Sequence, residues 1–242
     1  MTSSLKVLLL ALCASTASSV LAQSDAKAAV KTGSDTANNP VAQVRNAQSW
    51  SFGPIANGGV GVGDRSDYKF FFAGGHVGKV LTPVVHAGIL SGQFEYGADI
   101  IPFWQAYTPS AHNVSQVIDG VTYNSRVGGG TYTGASLTPL IFRWNFLTRS
   151  SRVQPWFQAA GGLIYTTHKF PGVVEVPHGS PGGTSVWNFA PQGGVGVHYF
   201  LRQGRSVDFG VNAVHISSAS LGDRNPGVNA SMQFQVGYTF WK

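Results

Sequence analysis

The stretch that decides the fold is Gln233-Phe234-Gln235-Val236-Gly237-Tyr238-Thr239-Phe240, near the C-terminal end of the chain. Its even-numbered residues are all large and apolar, whereas its odd-numbered residues are polar or glycine. Because successive side chains of a β-strand point to opposite faces of the sheet, this alternation predicts a strand with one apolar and one polar face. The polar face carries amides and a hydroxyl rather than charges, which suits an enclosed lumen better than bulk water.

Similar stretches of apolar residues alternating with polar residues or glycine occur from about residue 47 onward. Eight candidate strands follow, several of them longer than the five or six residues usual in soluble sheets: 47–53, 68–79, 86–103, 133–147, 153–166, 185–200, 205–218 and 230–241. Long connections alternate with short turns, the long ones at 54–67, 104–132, 167–184 and 219–229, the short ones near 80–85, 148–152 and 201–204. This plan predicts an all-β fold, an eight-stranded antiparallel up-and-down outer-membrane β-barrel. A soluble lipocalin-like barrel is the structural alternative.

Composition narrows the class of protein. The chain has 242 residues, a formal net charge of +6 and only 11% charged residues, compared with about 25% in soluble domains. Its polarity comes from uncharged residues, among them 31 glycines, which excludes a coiled coil and a charge-rich disordered chain. Beyond residue 22 there is no apolar run long enough for a membrane-spanning helix. No cluster of Lys and Arg indicates nucleic acid as a partner.

The N-terminus has the pattern of a targeting segment. Lys6 precedes the apolar run that begins at Val7, and Val20-Leu21-Ala22 is a cleavage-site pattern. We therefore predict a signal peptide over residues 1–22, a flexible N-terminal segment over 23–46, and the barrel over 47–242. The predicted location is the bacterial outer membrane.

The two faces of the predicted strands suggest a small polar interior. Glu95, Asp99 and Asp208 fall on polar faces, where they could pair with Arg143. An eight-stranded barrel is just wide enough for side chains to fill it, and its apolar face would then contact lipid.

Common catalytic and cofactor motifs are absent. Gly59–Gly63 resembles a dinucleotide-binding loop only superficially, since no helix follows it, and the sequence predicts an ordinary loop there. Six of the seven histidines show no metal-ligand spacing and are interpreted as lumen, interface or loop residues: His76, His86, His112, His168, His178 and His198.

The seventh histidine breaks the pattern of its strand. In strand seven the odd-numbered residues are apolar from Val207 to Ala213, and continuing this series places His215 and Ser217 on the apolar face. Polar side chains at membrane depth are costly and therefore candidate functional residues. Same-face neighbours on a strand lie about 6.6 Å apart, so a His ring can reach a Ser hydroxyl, the minimal activated nucleophile for acyl transfer. Alternatively, the strand has already reached the headgroup zone, where both residues are harmless.

The segment from His215 to Asn229, His-Ile-Ser-Ser-Ala-Ser-Leu-Gly-Asp-Arg-Asn-Pro-Gly-Val-Asn, resembles the lipid A 3-O-deacylase (PagL) family, which includes related proteins called acyloxyacyl hydrolases. That family is an eight-stranded outer-membrane barrel whose H-x-S motif faces lipid near the C-terminus. The resemblance is specific over roughly residues 205–242. It implies that His215 is the base and Ser217 the nucleophile, that Asn225 belongs to the oxyanion hole, and that Ala219 contributes a backbone group.

Asn229 stands where the best-known members have a glutamate, so it is the expected third catalytic residue, with Asp223 as a competing candidate. The resemblance implies a carboxylic-ester hydrolase that removes the 3-O-linked hydroxyacyl chain of lipid A, with no cofactor and no metal. Lipopolysaccharide of the outer leaflet and the membrane are the implied partners, nucleic acid is not, and a homodimer is left open. A non-catalytic barrel is the alternative, serving as an adhesin, a structural or lipid-binding protein, or a narrow pore.

Overall fold

The computed structural model describes residues 38–110, 112–127, 130–170, 185–219, 221 and 230–242. The predicted signal peptide, residues 1–22, and most of the predicted N-terminal segment, residues 23–46, lie outside these described residues. The predicted barrel region is described except for the gaps between the ranges given.

One α-helix and eleven β-strands make up the described part of the chain. The helix α1 is Pro40–Ala47, with Asn39 as its N-cap: the Asn39 side chain accepts a 2.9 Å hydrogen bond from the Ala42 N–H. The strands are β1 Trp50–Gly61, β2 Lys69–Val80, β3 Gly92–Thr108, β4 His112–Ile118, β5 Val121–Val127, β6 Gly130–Phe146, β7 Val153–Phe170, β8 Ser185–Phe189, β9 Gln192–Arg202, β10 Arg205–His215 and β11 Ala230–Trp241.

Antiparallel pairing closes the sheet into a barrel. β1 pairs with β2 on one side and with β11 on the other, where Phe52 lies opposite Phe240. β8 and β9 both pair with β7 and act as one wall segment, interrupted at Ala190 and Pro191. β4 and β5 form a separate hairpin, so the wall has eight strands in the order β1-β2-β3-β6-β7-β8/β9-β10-β11. The predicted eight-stranded antiparallel barrel is confirmed.

The first strand differs from its prediction. It runs over Trp50–Gly61 rather than 47–53, and the helix α1 occupies the residues directly before it. The prediction of a loop over Gly59–Gly63 was therefore wrong at its start, because glycines carry no side chains that would reveal an alternation. Gly59 faces the lumen, where an added Cβ would lie 2.8 Å from Cγ of Gln233, so the crowding inside the barrel favours a residue without a side chain.

Two connections also differ from the predicted pattern. The β1–β2 connection shortens to residues 62–68, while the β2–β3 connection, predicted as a tight turn near 80–85, spans 81–91. The latter folds back on itself through a bridge between Val85 and Gly92 and a 3₁₀ turn at Gly88–Leu90. The other connections at this end are short, 147–152 and 203–204. Short turns mark the periplasmic end of outer-membrane barrels, so we take the opposite end as extracellular.

The inner and outer faces of the wall follow the predicted alternation. In β11, Gln233, Gln235 and Thr239 are buried in the lumen, whereas Phe234 and Val236 are exposed on the outside, at 59% and 50%. The same division holds in β3, β6 and β8/β9. The outer face is therefore the apolar one, as a wall in contact with lipid requires.

The lumen contains a layer of charged and polar side chains. Arg143 Nη1 lies 3.4 Å from Glu95 Oε1, as predicted. The predicted pairing of Asp99 and Asp208 with Arg143 was wrong, because each carboxylate instead contacts a buried histidine, at 2.6 Å for His76 and Asp99 and 2.7 Å for His198 and Asp208. A histidine on the neighbouring strand is closer in register than the single arginine, and buried charges are tolerated only when paired.

Apolar clusters lie above and below this polar layer. At the periplasmic end, α1 packs against the barrel through a cluster of Val41, Val44, Val80, Phe200 and Trp241. The extracellular cluster comprises Ile55, Tyr68, Phe70, Ile101, Trp104, Ala106, Ile164, Phe170, Ala190, Val214 and Ile216. In the described part of the chain, no helix is both long and apolar enough to cross a membrane.

Candidate active site

His215 and Ser217 lie on the outer face of the barrel at its extracellular end. β10 ends at His215, earlier than the predicted residue 218, but the alternation of burial continues beyond it. Ile216 and Ser218 point inward and are 1% and 2% exposed, whereas His215 and Ser217 are half-buried on the outside. Ile216 belongs to the extracellular apolar cluster. Its burial anchors the segment and thereby turns its two neighbours outward.

A separate short ladder holds the segment after β10. The regular pairing of β10 with β9 ends at Val214 and Gln192. Beyond it, the His215 N–H donates to the carbonyl of Pro191 at 3.0 Å, and Ser217 exchanges two backbone hydrogen bonds with Phe189, at 2.7 and 3.0 Å. Proline has no N–H to donate in return. The backbone of His215 and Ser217 is therefore held by Phe189, where β8 ends, and by Pro191, in the break between β8 and β9.

Ala219 presents a backbone donor to Ser217. Its N–H donates to Ser217 Oγ at 3.1 Å. Ala219 has φ +48°, a left-handed conformation that costs roughly 1–2 kcal/mol in a residue with a side chain. Residues in a strained backbone conformation, such as this one beside a serine hydroxyl, are common in active sites.

The outer wall beside His215 is hollow because its residues are small. A depression of about 500 Å³ lies between β7, β9, β10 and β11; we call it the small-residue hollow. Its lining is nearly all apolar: Ala159, Ala160, Pro191, Gln192, Gly193, Ala213, Val214, His215 and Ala230. Ala213, Gly193 and Ala159 lie opposite one another on neighbouring strands, so they form a continuous low strip directly below His215.

A second apolar depression of about 800 Å³, the distal hollow, lies further round the wall, between β3 and β8. It is lined by residues that include Leu137, Leu163 and Trp187. Phe189 separates it from the candidate site, because it pairs with Ser217 on one side and with Leu163 on the other.

Sequence analysis predicted some residues of this site and did not predict others. His215 and Ser217 both lie on the outer face, and the Ala219 N–H contacts Ser217 Oγ, while Asn225, Asn229 and the competing Asp223 lie outside the described residues. Phe189, Pro191 and the small-residue hollow were missed. Only Pro191 gave a signal, as a proline inside a predicted strand. Among the described residues, no group of three or more His, Cys, Asp or Glu side chains could hold a metal.

Comparison with protein families decides the family. The family model described as lipid A 3-O-deacylase (PagL) matches residues 91–239, more than half of the chain. The chain belongs to this family. Membership places the protein among the lipid A deacylases of the bacterial outer membrane, and the matched residues include His215 and Ser217. A comparison with curated protein sequences gives no match.

Solved structures of outer-membrane barrels are similar to the chain at low identity. One is described as the outer membrane enzyme PagL, with 15% identity and a TM-score of 0.44, covering 77% of this chain and 97% of that one. Two others are from Pseudomonas aeruginosa. The N-terminal β-barrel domain of OprF has 13% identity, a TM-score of 0.38 and coverages of 80% and 98%. OprG has 10% identity, a TM-score of 0.40 and coverages of 81% and 96%.

Proposed function

We propose that the protein is a serine esterase that hydrolyses the 3-O-linked hydroxyacyl chain of lipid A, with Ser217 as nucleophile and His215 as base. The observation that carries this proposal is the outward placement of both side chains on the lipid-facing wall. Membership of the deacylase family supports the class of reaction. Lipopolysaccharide occupies the outer leaflet, and its ester bonds lie near the sugar–acyl boundary, which we place at the extracellular end of β10.

The reaction has two halves. His215 removes the Ser217 hydroxyl proton while Oγ attacks the ester carbonyl, and the resulting oxyanion collapses to release the sugar alkoxide, which His215 protonates. Water then attacks the acyl-enzyme while His215 takes its proton, and the second oxyanion collapses to release the hydroxy fatty acid as His215 gives that proton back to Ser217 Oγ. The protons balance, and the steps require no metal or cofactor.

The Ala219 N–H is positioned to assist the first half. It already donates to Ser217 Oγ, and the carbonyl oxygen of a bound ester would lie close to this atom. When charge develops on that oxygen, the donor can transfer to it. We assign the second oxyanion donor to the Asn225 side chain and the orientation of the His215 ring to Asn229. Both assignments rest on the family resemblance.

The small-residue hollow is the proposed seat of the acyl chain. It adjoins His215 and has an almost wholly apolar lining, so it can receive methylene groups without desolvating polar atoms. The walls beside it carry larger side chains, such as Phe189. A chain bound there would present its ester to Ser217 from below. No contact of the described residues supports the homodimer that the sequence left open, and the proposal concerns a single chain.

Mass spectrometry of lipid A tests the proposal. Lipid A from cells that express the protein should lose the mass of one hydroxyacyl chain, and cells that express Ser217→Ala at equal level should retain it. A lipid A without an ester at the 3-position should be unchanged. If the wild-type protein left every lipid A unaltered, the non-catalytic barrel would be the better account. Loss of a chain from another position would refute the assigned ester but not the enzyme class.

A further inference from the structure

The periplasmic rim of the barrel carries cations stacked on outward-facing aromatic rings. We call this the basic–aromatic patch: Lys79, Arg205 and Lys242 with Trp50, Phe52 and Phe240. These residues lie at the ends of β1, β2, β10 and β11, which are neighbours in the wall. The patch is therefore one continuous surface, and it is remote from His215 and Ser217 at the opposite end of β10.

Each cation of the patch is held by a ring. Lys79 Nζ lies 5.3 Å from the centre of the Trp50 ring, and Arg205 Cζ lies 4.3 Å from that of Phe240. Lys242 Nζ lies 5.8 Å from the centre of the Phe52 ring. Phe52 and Phe240 themselves stack, at 5.6 Å. Arg205 Nη1 donates to the carbonyl of Gly204 at 2.7 Å, and because a cation–π contact uses the face of the ring rather than an acceptor atom, the other N–H groups of the guanidinium can still donate to an anion.

No described carboxylate side chain is exposed at this end to neutralise the patch. Glu95, Asp99 and Asp208 are buried in the lumen. Asp67 and Asp119 lie on connections at the extracellular end. Three further cations, by contrast, are exposed on periplasmic turns or at a strand end beside them: Arg149, Arg152 and Arg202. The described side chains therefore give this rim a one-sided positive charge.

We propose that the basic–aromatic patch binds the anionic headgroups of glycerophospholipids in the inner leaflet. Trp50 is 52% exposed and points away from the barrel axis, so the cations on these rings face the bilayer rather than the water below the barrel. Aromatic rings at headgroup depth mark the membrane interface. A Lys or Arg near the surface attracts anionic lipid with about 1 kcal/mol, about a fivefold preference.

Lipid selectivity of the full-length protein tests this site. The protein is reconstituted in phosphatidylcholine vesicles that contain a trace of spin-labelled phosphatidylglycerol or, in parallel, spin-labelled phosphatidylcholine. Electron paramagnetic resonance measures the motionally restricted fraction of each label. We expect a preference for phosphatidylglycerol on the order of fivefold, which falls by at least half in Lys79→Gln/Arg205→Gln, where Lys242 is the patch cation that remains.

Lys69→Gln/Lys169→Gln is the matched control, since it removes two exposed cations at the extracellular end. It should keep most of the selectivity, and Lys79→Arg/Arg205→Lys should keep it as well. The proposal fails if the wild-type protein shows no preference, which would favour a soluble polyanion as the partner. It also fails if the control loses as much selectivity as the patch variant. If Lys79→Gln/Arg205→Gln does not fold, 1 M salt should abolish the wild-type preference, and persistence there refutes the site.

Discussion

Two groups of serine and histidine among the described residues, one in the lumen and one on the outer wall, differ in their hydrogen bonds and in their access to lipid. In the lumen, Ser206 Oγ donates to Asp208 Oδ1 at 2.7 Å, and His198 Nδ1 contacts the same oxygen at 2.7 Å. The carboxylate thus lies between the serine and the histidine. A catalytic triad needs the histidine in the middle, where it can take the proton of the hydroxyl. The other ring nitrogen of His198 faces Asn145, at 3.3 Å.

Access separates the two groups further. Ser206 and His198 are 0% and 1% exposed, and Trp241 and Phe200 of the periplasmic cluster pack directly on the His198 ring. His215 and Ser217 lie on the outer wall beside an open hollow. His198 is paired with the Asp208 carboxylate inside the barrel, so we interpret it as a structural residue. His215 lies on the lipid-facing wall, where a lipid substrate can reach it, so it is the candidate for catalysis.

The largest expected effect comes from the outer pair. Ser217→Ala or His215→Ala should lower deacylation on the order of 10⁴-fold or more, and the double variant should be about as inactive as either single one, since the two residues act as a unit. The barrel should remain folded and heat-modifiable on gels, because neither side chain contributes to the core. Turnover at the wild-type rate in Ser217→Ala would show that the nucleophile is another residue.

Ala219 gives the next effect. Ala219→Pro removes the N–H that donates to Ser217 and also forces the positive φ of this residue to a negative value, so it should lower the rate by at least the roughly 10²–10³-fold that is usual for one oxyanion donor. Ala219→Gly keeps the N–H and relieves the positive φ, so we expect near wild-type activity and equal or slightly higher stability. Steady-state rates on purified lipopolysaccharide measure both. Equal activity of the Pro and Gly variants would exclude the backbone donor.

Asn229 is expected to contribute less. Asn229→Ala should lower the rate by about one to two orders of magnitude, because a neutral amide orients the His215 ring without stabilising an imidazolium as a carboxylate would. Asn229→Glu should keep or raise the rate. The matched comparison is Asp223→Ala, the nearby acid. If only Asp223→Ala loses activity, the orienting role belongs to residue 223.

Filling the small-residue hollow should have a smaller effect. Ala159→Phe places a ring where we seat the acyl chain and should lower kcat/KM about tenfold, with the larger loss on longer chains. Ala98→Phe is the control, since Ala98 faces outward on β3, away from the hollow. Rates on substrates of two chain lengths measure the effect. Equal losses in both variants would mean that the hollow does not receive the chain.

Removing the lumenal contact between His198 and Asp208 should have almost no effect on the rate of deacylation. His198→Ala leaves the buried Asp208 carboxylate with the hydroxyl donors Ser206 and Thr239 but without its histidine, and it should destabilise the barrel by about 3–5 kcal/mol, measured by urea unfolding in bilayers. The rate per folded molecule should stay near that of wild type. If His198→Ala lost most of the activity at unchanged stability, the catalytic histidine would be His198 in the lumen rather than His215 on the outer wall.

The sequence predicted the wall of the barrel well because alternation is a local property. The inner and outer sides of β11 follow from Gln233 and Phe234 alone, and the same parity places His215 and Ser217 outside. The prediction failed in β1, where the glycines at 58, 59 and 61 interrupt the alternation, and where strand register decides the partner of a side chain, as for Asp99 and Asp208. Neither glycine runs nor cross-strand distances leave a periodic signal in the chain.

The site was predicted only in part for the same reason. His215 and Ser217 are neighbours in sequence, so their proximity could be inferred. The small-residue hollow joins Ala159, Gly193 and Ala213 from three strands, and Phe189 reaches Ser217 across a break between β8 and β9. These contacts depend on strand register, which turn lengths and packing determine together.

Active-site phosphonylation tests the central contrast between the outer and lumenal groups most directly. The folded protein, in vesicles that contain lipopolysaccharide, is treated with a lipid-soluble fluorophosphonate, and peptide mass spectrometry locates the adduct. We predict a single adduct on Ser217, absent from His215→Ala and unchanged in His198→Ala, with Ser206 unlabelled. An adduct on any other serine, or active deacylation with Ser217 unmodified by the probe, would contradict the account.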